Sequence, residues 1–296
     1  MTKRMIKFTA ALLIITFMLT GCNLFSPKGG EKWTLKIDGT EIESTETRIY
    51  TVDSGKLMMI SLVDVLTHYG FLIEWESDTQ AQIRNGNATY TLNTEELSLC
   101  RAGDTVNILT MHDGVYDYHY QGSTRDAVLN TTALEYVMSE LGIALYARSF
   151  KDDQRAYILT RLTSEESAKY NLVINGARSR IDGAFTYPDH NGVTVYPLIE
   201  VLTLCGIDVR WKGETEAVVK MGLKKYTVSL QDSTVKRLGK EVELDLAGGD
   251  PDTVYQQAKD GDLYCSSFII RAIIEEMGQQ IFLFDLDEAT YIIIKE

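Results

Sequence analysis

Apolar residues recur along the chain in two rhythms. Leu62, Val65, Leu66 and Tyr69 fall at i, i+3, i+4 and i+7, one stripe of an amphipathic helix. Ser61 stands where an N-cap is expected, and Gly70 where a left-handed residue would end the helix. Ile269, Ile270, Ile273, Ile274 and Met277 repeat the pattern between Ser266 or Ser267 and Gly278. Helices of about ten residues are too short to hold alone in water, so each is expected to pack on a sheet. The second rhythm is β-rich. Leu72–Trp75, Ala81–Ile83 and Ala88–Leu92 read as strands, with Asn85-Gly86 as a hairpin turn. Val209–Trp211, Ala217–Met221 and Tyr226–Leu230 read likewise, as do the β-branched runs Ala156–Leu159 and Tyr291–Ile294. Short antiparallel strands with short helices predict an α+β fold.

The two rhythms repeat. At an offset of 136 residues, Leu62, Val65, Leu66 and Thr67 meet Leu198, Val201, Leu202 and Thr203. Gly70 meets Gly206, Trp75 meets Trp211, and Tyr90 meets Tyr226. Asp126, Glu140 and Gly142 meet Asp262, Glu276 and Gly278. The spacing predicts two tandem copies of one small domain, 33–161 and 170–296, joined by a polar linker over 162–169. Thr163 or Ser164 would cap one helical turn in that linker. Each copy holds an inner half-repeat, because Gly70 and Gly142, like Gly206 and Gly278, lie 72 residues apart.

Certain motifs mark strands, helix starts and helix ends. They are Ile37-Asp38-Gly39 and Ile174-Asn175-Gly176, Val195-Tyr196-Pro197-Leu198, Leu141-Gly142, and Trp75 and Trp211. Together they resemble the copper amine oxidase N-terminal-like domain, the stalk domain of bacterial envelope proteins, over nearly all of residues 33–296. Three of the four helix starts lack the Pro of that pattern, and Ile199 stands where Arg is usual. In its name-giving family this domain lies apart from the catalytic copper. The resemblance therefore implies a surface or scaffold module without catalytic residues.

The first residues carry an address. Lys3, Arg4 and Lys7 precede an apolar run from Phe8 to Met18, and Leu19-Thr20-Gly21-Cys22 follows. A basic start, a short apolar stretch and small residues describe a secretory leader over 1–21. The run falls short of the roughly 20 residues that span a bilayer. The last four residues resemble the bacterial lipobox, which implies that Cys22 takes a lipid and becomes the first mature residue. Residues 22–32 read as a flexible tether. The expected location is extracytoplasmic, lipid-anchored to a bacterial membrane.

Charge narrows the partners. The net charge is −13, and both halves carry more acid than base. Phosphate binding needs a basic stripe, so nucleic acid is not an expected partner. An acidic body is repelled by anionic headgroups, so the lipid on Cys22 is expected to hold the membrane. Cell-wall glycan or another envelope protein is the remaining partner class.

Candidate chemistry is sparse. All four histidines fall at positions unlike their counterparts in the other copy. His112-Asp113 with Asp117 and His119 is the best metal candidate, without a recognised ligand spacing, so no metal or other cofactor is expected. Tyr116, Tyr118 and Tyr120 would share one strand face and make a stripe for stacking on glycan or peptide. A buried face or an aromatic lid over the sheet is the competing reading. Gly248–Asp252 reads as a structural turn, and Asp285, Asp287 and Glu288 as a hairpin tip with solvated carboxylates. Cys205 reads as a small core residue, and secretion would permit a Cys100–Cys265 bridge. No nucleophile or phosphate-loop motif is present. The expected function is a lipid-anchored, non-catalytic binding or scaffold module of the envelope. The rival expectations are a wall-active hydrolase with its site in the inter-domain groove and an accessory solute-binding lipoprotein.

Overall fold

The computed structural model describes residues 33–44, 46–52, 55–104, 107–110, 120–150, 153–187, 193–229, 234–242, 256–259, 261–286 and 289–295. Among them are five α-helices: α1 (Leu62–His68), α2 (Thr131–Glu140), α3 (Ser164–Ser167), α4 (Leu198–Leu204) and α5 (Ser267–Glu276). The strands form small sheets of four or five strands, and the fold is α+β. By internal contacts the chain divides into two compact units. One holds the described residues up to Leu35, with Ile42–Leu141 and Asp153–Ala156; the other holds Lys36–Glu41, Gly142–Asp152 and Tyr157–Glu296. No helix among the described residues is long and apolar enough to cross a membrane.

In the first unit, α1 starts and stops where its sequence directs. Ser61 caps it by accepting the Asp64 amide, and Gly70 follows its end at φ +79°. The Phe71 amide then returns to the Leu66 carbonyl, closing the last turn. Leu62, Val65 and Leu66 face the core and are fully buried. Each fully buried leucine or valine contributes about 1.5–3 kcal/mol. Behind α1 runs a meander of four antiparallel strands, Leu72–Trp75, Gln80–Asn85, Ala88–Asn93 and Ser98–Arg101. Its period of two sends Ala81, Ile83, Leu92 and Leu99 inward and Gln82 and Arg84 outward. Asn85 pairs with Ala88, so the two turn residues are Gly86 and Asn87 rather than Asn85 and Gly86. Gly86 supplies the positive φ at the first turn position. A second sheet has the order Arg48–Val52, Gly55–Ser61, Asp126–Leu129, Tyr120–Ser123, and α2 packs on it.

The second unit also combines a meander with short helices. Its meander runs Asp208–Trp211, Glu216–Met221, Lys224–Ser229, Thr234–Arg237 and Lys240–Glu241. Ala217, Val219, Tyr226, Val228 and Val235 join Leu198, Val201, Leu202 and the isoleucines of α5 in one core. Beside it lies the sheet Phe185–Tyr187, Val193–Pro197, Asp262–Ser266, Gln256–Lys259. A further sheet has the order Ala177–Ser179, Leu172–Ile174, Ala289–Ile294, Ile281–Leu286. Here one pairing departs from the antiparallel expectation: Leu172–Ile174 runs parallel to Ala289–Ile294, in register Leu172 to Thr290. Parallel neighbours need a long connection. The chain supplies one by pairing strands near the start and end of the same segment.

A second cluster of this unit is aromatic. Phe150, Tyr157, Leu159 and Leu162 pack on Val173, Ala289, Tyr291 and Ile293. Phe150 stacks on Phe282 at 4.6 Å, and Tyr146 meets Phe284 edge-on at 4.4 Å. The Tyr291 hydroxyl accepts the buried Leu162 amide at 3.0 Å. Two hairpin turns, Asp38-Gly39 and Asn175-Gly176, touch at this place. A Cβ on Gly176 would stand 2.2 Å from the Asp38 carbonyl carbon, so only glycine fits. The Asp38 side chain accepts the Thr160 amide, and the Asn175 side chain accepts the Ile294 amide. Between these strands, Thr163 caps α3 in a capping box with Glu166. That arrangement, first through the Thr163 amide, holds the Glu166 carboxyl below its usual range.

Candidate functional site

Carboxylates with their hydrogen bonds are the most chemical groups in the described structure. In the first unit the side chains of Ser44, Thr47, Ser61, Asp64 and Asp126 form one network. Asp126 is 3% exposed and Ser61 and Thr47 are fully buried. Asp126 Oδ1 accepts the Val63 amide at 3.1 Å and the Ala127 amide at 2.7 Å, while Ser61 Oγ donates to Oδ2 at 2.5 Å. The Asp64 amide donates to Ser61 Oγ, and Ser44 donates to the Asp64 carboxylate. Thr47 Oγ1 accepts the Ser61 amide. Strand Asp126–Leu129 thus delivers a carboxylate to the start of α1, where free amides collect. Burial pushes the Asp126 carboxyl up to about 7, against the pull of its three donors; the Asp64 charge adds to the rise. Ser61 cannot meet a substrate, because it is buried and already bonded on both sides.

The second unit repeats this device without the serine. Asp262 Oδ1 accepts the Ile199 amide at 2.8 Å and the Leu263 amide at 2.7 Å, and Oδ2 accepts the Glu200 amide at 3.2 Å. Pro197 occupies the N-cap and has no side-chain bond to give. Burial raises the Asp262 carboxyl as well. A third set lies nearby: Thr290 Oγ1 donates to Asp285 and contacts the Tyr196 hydroxyl, and Ser267 Oγ donates to Asp285 at 2.6 Å. Asp285 is exposed, as its sequence position suggested, and is also engaged by two hydroxyls. Its charge adds to the effect of burial in raising the Tyr196 hydroxyl above its usual range.

The other distinctive surface is the outer face of the second meander. Asp208, Lys220 and Lys225 lie in one cross-strand row. Arg210, Val218, Thr227, Lys236 and Glu241 lie in the next. Lys220 sits directly opposite Lys225, a pairing of like charges that weakens a ladder. Two turns at the same end of this sheet carry leucines. Leu223 is 105% exposed and Leu238 is 92% exposed. Leu238 holds φ +53° before Gly239 at φ +80°, a position that usually goes to Asn, Asp or Gly. Beside it opens a cleft of about 450 Å³ lined by Arg237, Leu238, Lys240, Glu241, Val242 and Glu276. Lys224 donates to the Glu276 carbonyl at 2.9 Å, and Arg237 pairs with the Glu276 carboxylate.

Cys22, Tyr116 and Tyr118 lie outside the described residues, as do His112, Asp113, Asp117, His119, His190, Gly248–Asp252, Asp287 and Glu288. Tyr120 begins a described strand, but its side chain is outside the description. His68 is exposed at the end of α1. Cys100, Cys205 and Cys265 are free thiols. Burial pushes the Cys205 thiol up to about 12, and burial also holds the Cys265 thiol well above its usual range, with the Asp262 charge adding to the rise. Cys205 caps the end of α4 and is only half-buried, at the margin of the core. Among the described residues no cluster of three or more His, Cys, Asp or Glu is arranged to hold a metal. The basic meander face was missed by counting charge over whole halves. Reading alternate positions on paired strands, Lys220, Lys225 and Lys236, would have found it. The chain matches no protein-family model, no curated protein and no solved structure.

Proposed function

We propose that the protein is a lipid-anchored, extracytoplasmic envelope scaffold made of two tandem copies of one stalk-like domain. The observation that carries the scaffold reading is the paired use of Asp126 and Asp262. These carboxylates stand 136 residues apart, and each holds the amides that open the helix of its own copy, Val63 in one and Ile199 in the other. Groups common to both copies therefore serve packing. The turns Asp38-Gly39 and Asn175-Gly176 and the helix-ending glycines Gly70 and Gly206 support the same reading. Residues 19–22 support the anchor, since Leu-Thr-Gly-Cys follows a basic start and a short apolar run. A diacylated or triacylated Cys22 meets the requirement of more than one chain for stable anchoring.

The test is fractionation of the full chain and its Cys22→Ser variant, with the mass of the N-terminal peptide. The wild type should sediment with membranes and carry an acylated Cys22. The variant should lose the acyl mass and leave the anchored pool. An unmodified Cys22 on a membrane-bound chain would contradict the anchor. Capture of wall fragments by the full chain would then assign the partner class.

A further inference from the structure

We propose that the Leu223 and Leu238 turns form a second membrane contact, one that docks the second unit on an anionic phospholipid surface. The proposal extends the reading of a membrane-held protein but draws on separate residues. Both leucines stand almost free in solvent at one end of one sheet. Lys220, Lys224, Lys225, Lys236, Arg237 and Lys240 surround them. At an offset of 136 residues the tips are Asn87 and Ala102, and four of those six basic positions hold Ala88, Thr89, Cys100 and Asp104. The apolar and basic character thus belongs to one copy and is not needed to fold the unit.

The backbone points the same way. Leu238 occupies a left-handed turn position at φ +53°; Leu97 and Arg125 hold a similar φ elsewhere, but the two other turns that place such a residue before a positive-φ glycine use Asp38 and Asn175. A leucine at such a site strains the chain and buries nothing. The like-charged pair Lys220 and Lys225 adds a second local cost. Both costs are offset when leucines enter the interfacial layer and the basic groups meet headgroup phosphates. A soluble polyanion would use the lysines but gain nothing from the leucines, so the lipid surface is the occupant that fits both.

The test uses the full chain reconstituted into vesicles of phosphatidylcholine, with or without phosphatidylglycerol, followed by amide hydrogen exchange. Exchange over residues 220–226 and 236–242 should slow by about tenfold or more when phosphatidylglycerol is present. The corresponding segments 84–90 and 100–104 should not change, and high salt should remove the effect. The double variant Leu223→Ser with Leu238→Asn should abolish the slowing. Leu238→Asn alone should leave the melting temperature unchanged or raised, because Asn suits that turn. Equal exchange with both lipids, or full protection in the double variant, would overturn the proposal. So would equal protection by soluble polyphosphate without vesicles. Loss of sedimentation with pure phosphatidylcholine would count against the Cys22 anchor alone, because docking on phosphatidylglycerol would still be read.

Discussion

Removing the charge of Asp126 should change how the first unit's stability depends on pH. In the folded chain this carboxyl is 3% exposed and burial raises it from an ordinary 3.8 to about 7. The unfolded chain releases the proton near pH 4, while the folded chain keeps it until about pH 7. Between those limits the folded state binds the extra proton, so stability falls as pH rises. The contribution is fully present below pH 4 and lost above pH 7, about 4 kcal/mol in all. Asn at this position keeps an acceptor for the Val63 and Ala127 amides and places a donor against Ser61 Oγ. Asp126→Asn should therefore flatten the pH dependence and leave the unit at least as stable as wild type near pH 8. Asp126→Ala should flatten the curve too, but lie about 1–3 kcal/mol below Asp126→Asn at every pH, since it strands buried donors. Native-state hydrogen exchange of α1 amides across this pH range measures the opening free energy of this unit directly. Parallel pH curves for wild type and Asp126→Asn would refute the reasoning.

Three further substitutions test the packing. Gly176→Ala should cost at least about 2 kcal/mol, because its Cβ would strike the Asp38 carbonyl carbon at φ +92°. Gly222→Ala, at φ +56° with open space around it, should cost only about 1 kcal/mol in the same urea titration. Tyr291→Phe should cost about 1–3 kcal/mol by stranding the buried Leu162 amide, and the Leu162 amide should exchange faster. Ser266→Ala should be neutral or stabilising by up to about 1 kcal/mol in a thermal melt. The Ser266 hydroxyl is buried without a hydrogen-bond partner and gives no cap to α5.

Local signals in the sequence carried local structure well. The stripe of α1, its Ser61 cap and Gly70 end, and the Thr163 cap of α3 lie where short-range spacing directs. The meander strands follow because alternation is a property of neighbours. Longer pairings left no such mark. The parallel register of Leu172 with Thr290 joins residues with no shared local motif. The Asp38 and Asn175 turns carry matching motifs, but nothing in those motifs announced that the two turns touch. Asp126 was visible as half of a matched pair, but its role depended on strand Asp126–Leu129 reaching α1. The second meander's basic face was hidden because an acidic chain averages it away. It emerges only when pairing sets Lys220 against Lys225 and brings both leucine turns to one end.

The most direct measurement of the account is an experimental structure of the full chain, with residues 33–161 superimposed on 170–296. The account predicts that Asp126 with Val63 and Asp262 with Ile199 overlay as one device at the start of matching helices. Halves that fail to superimpose at the 136-residue offset, or an Asp262 turned away from the Ile199 amide, would contradict it.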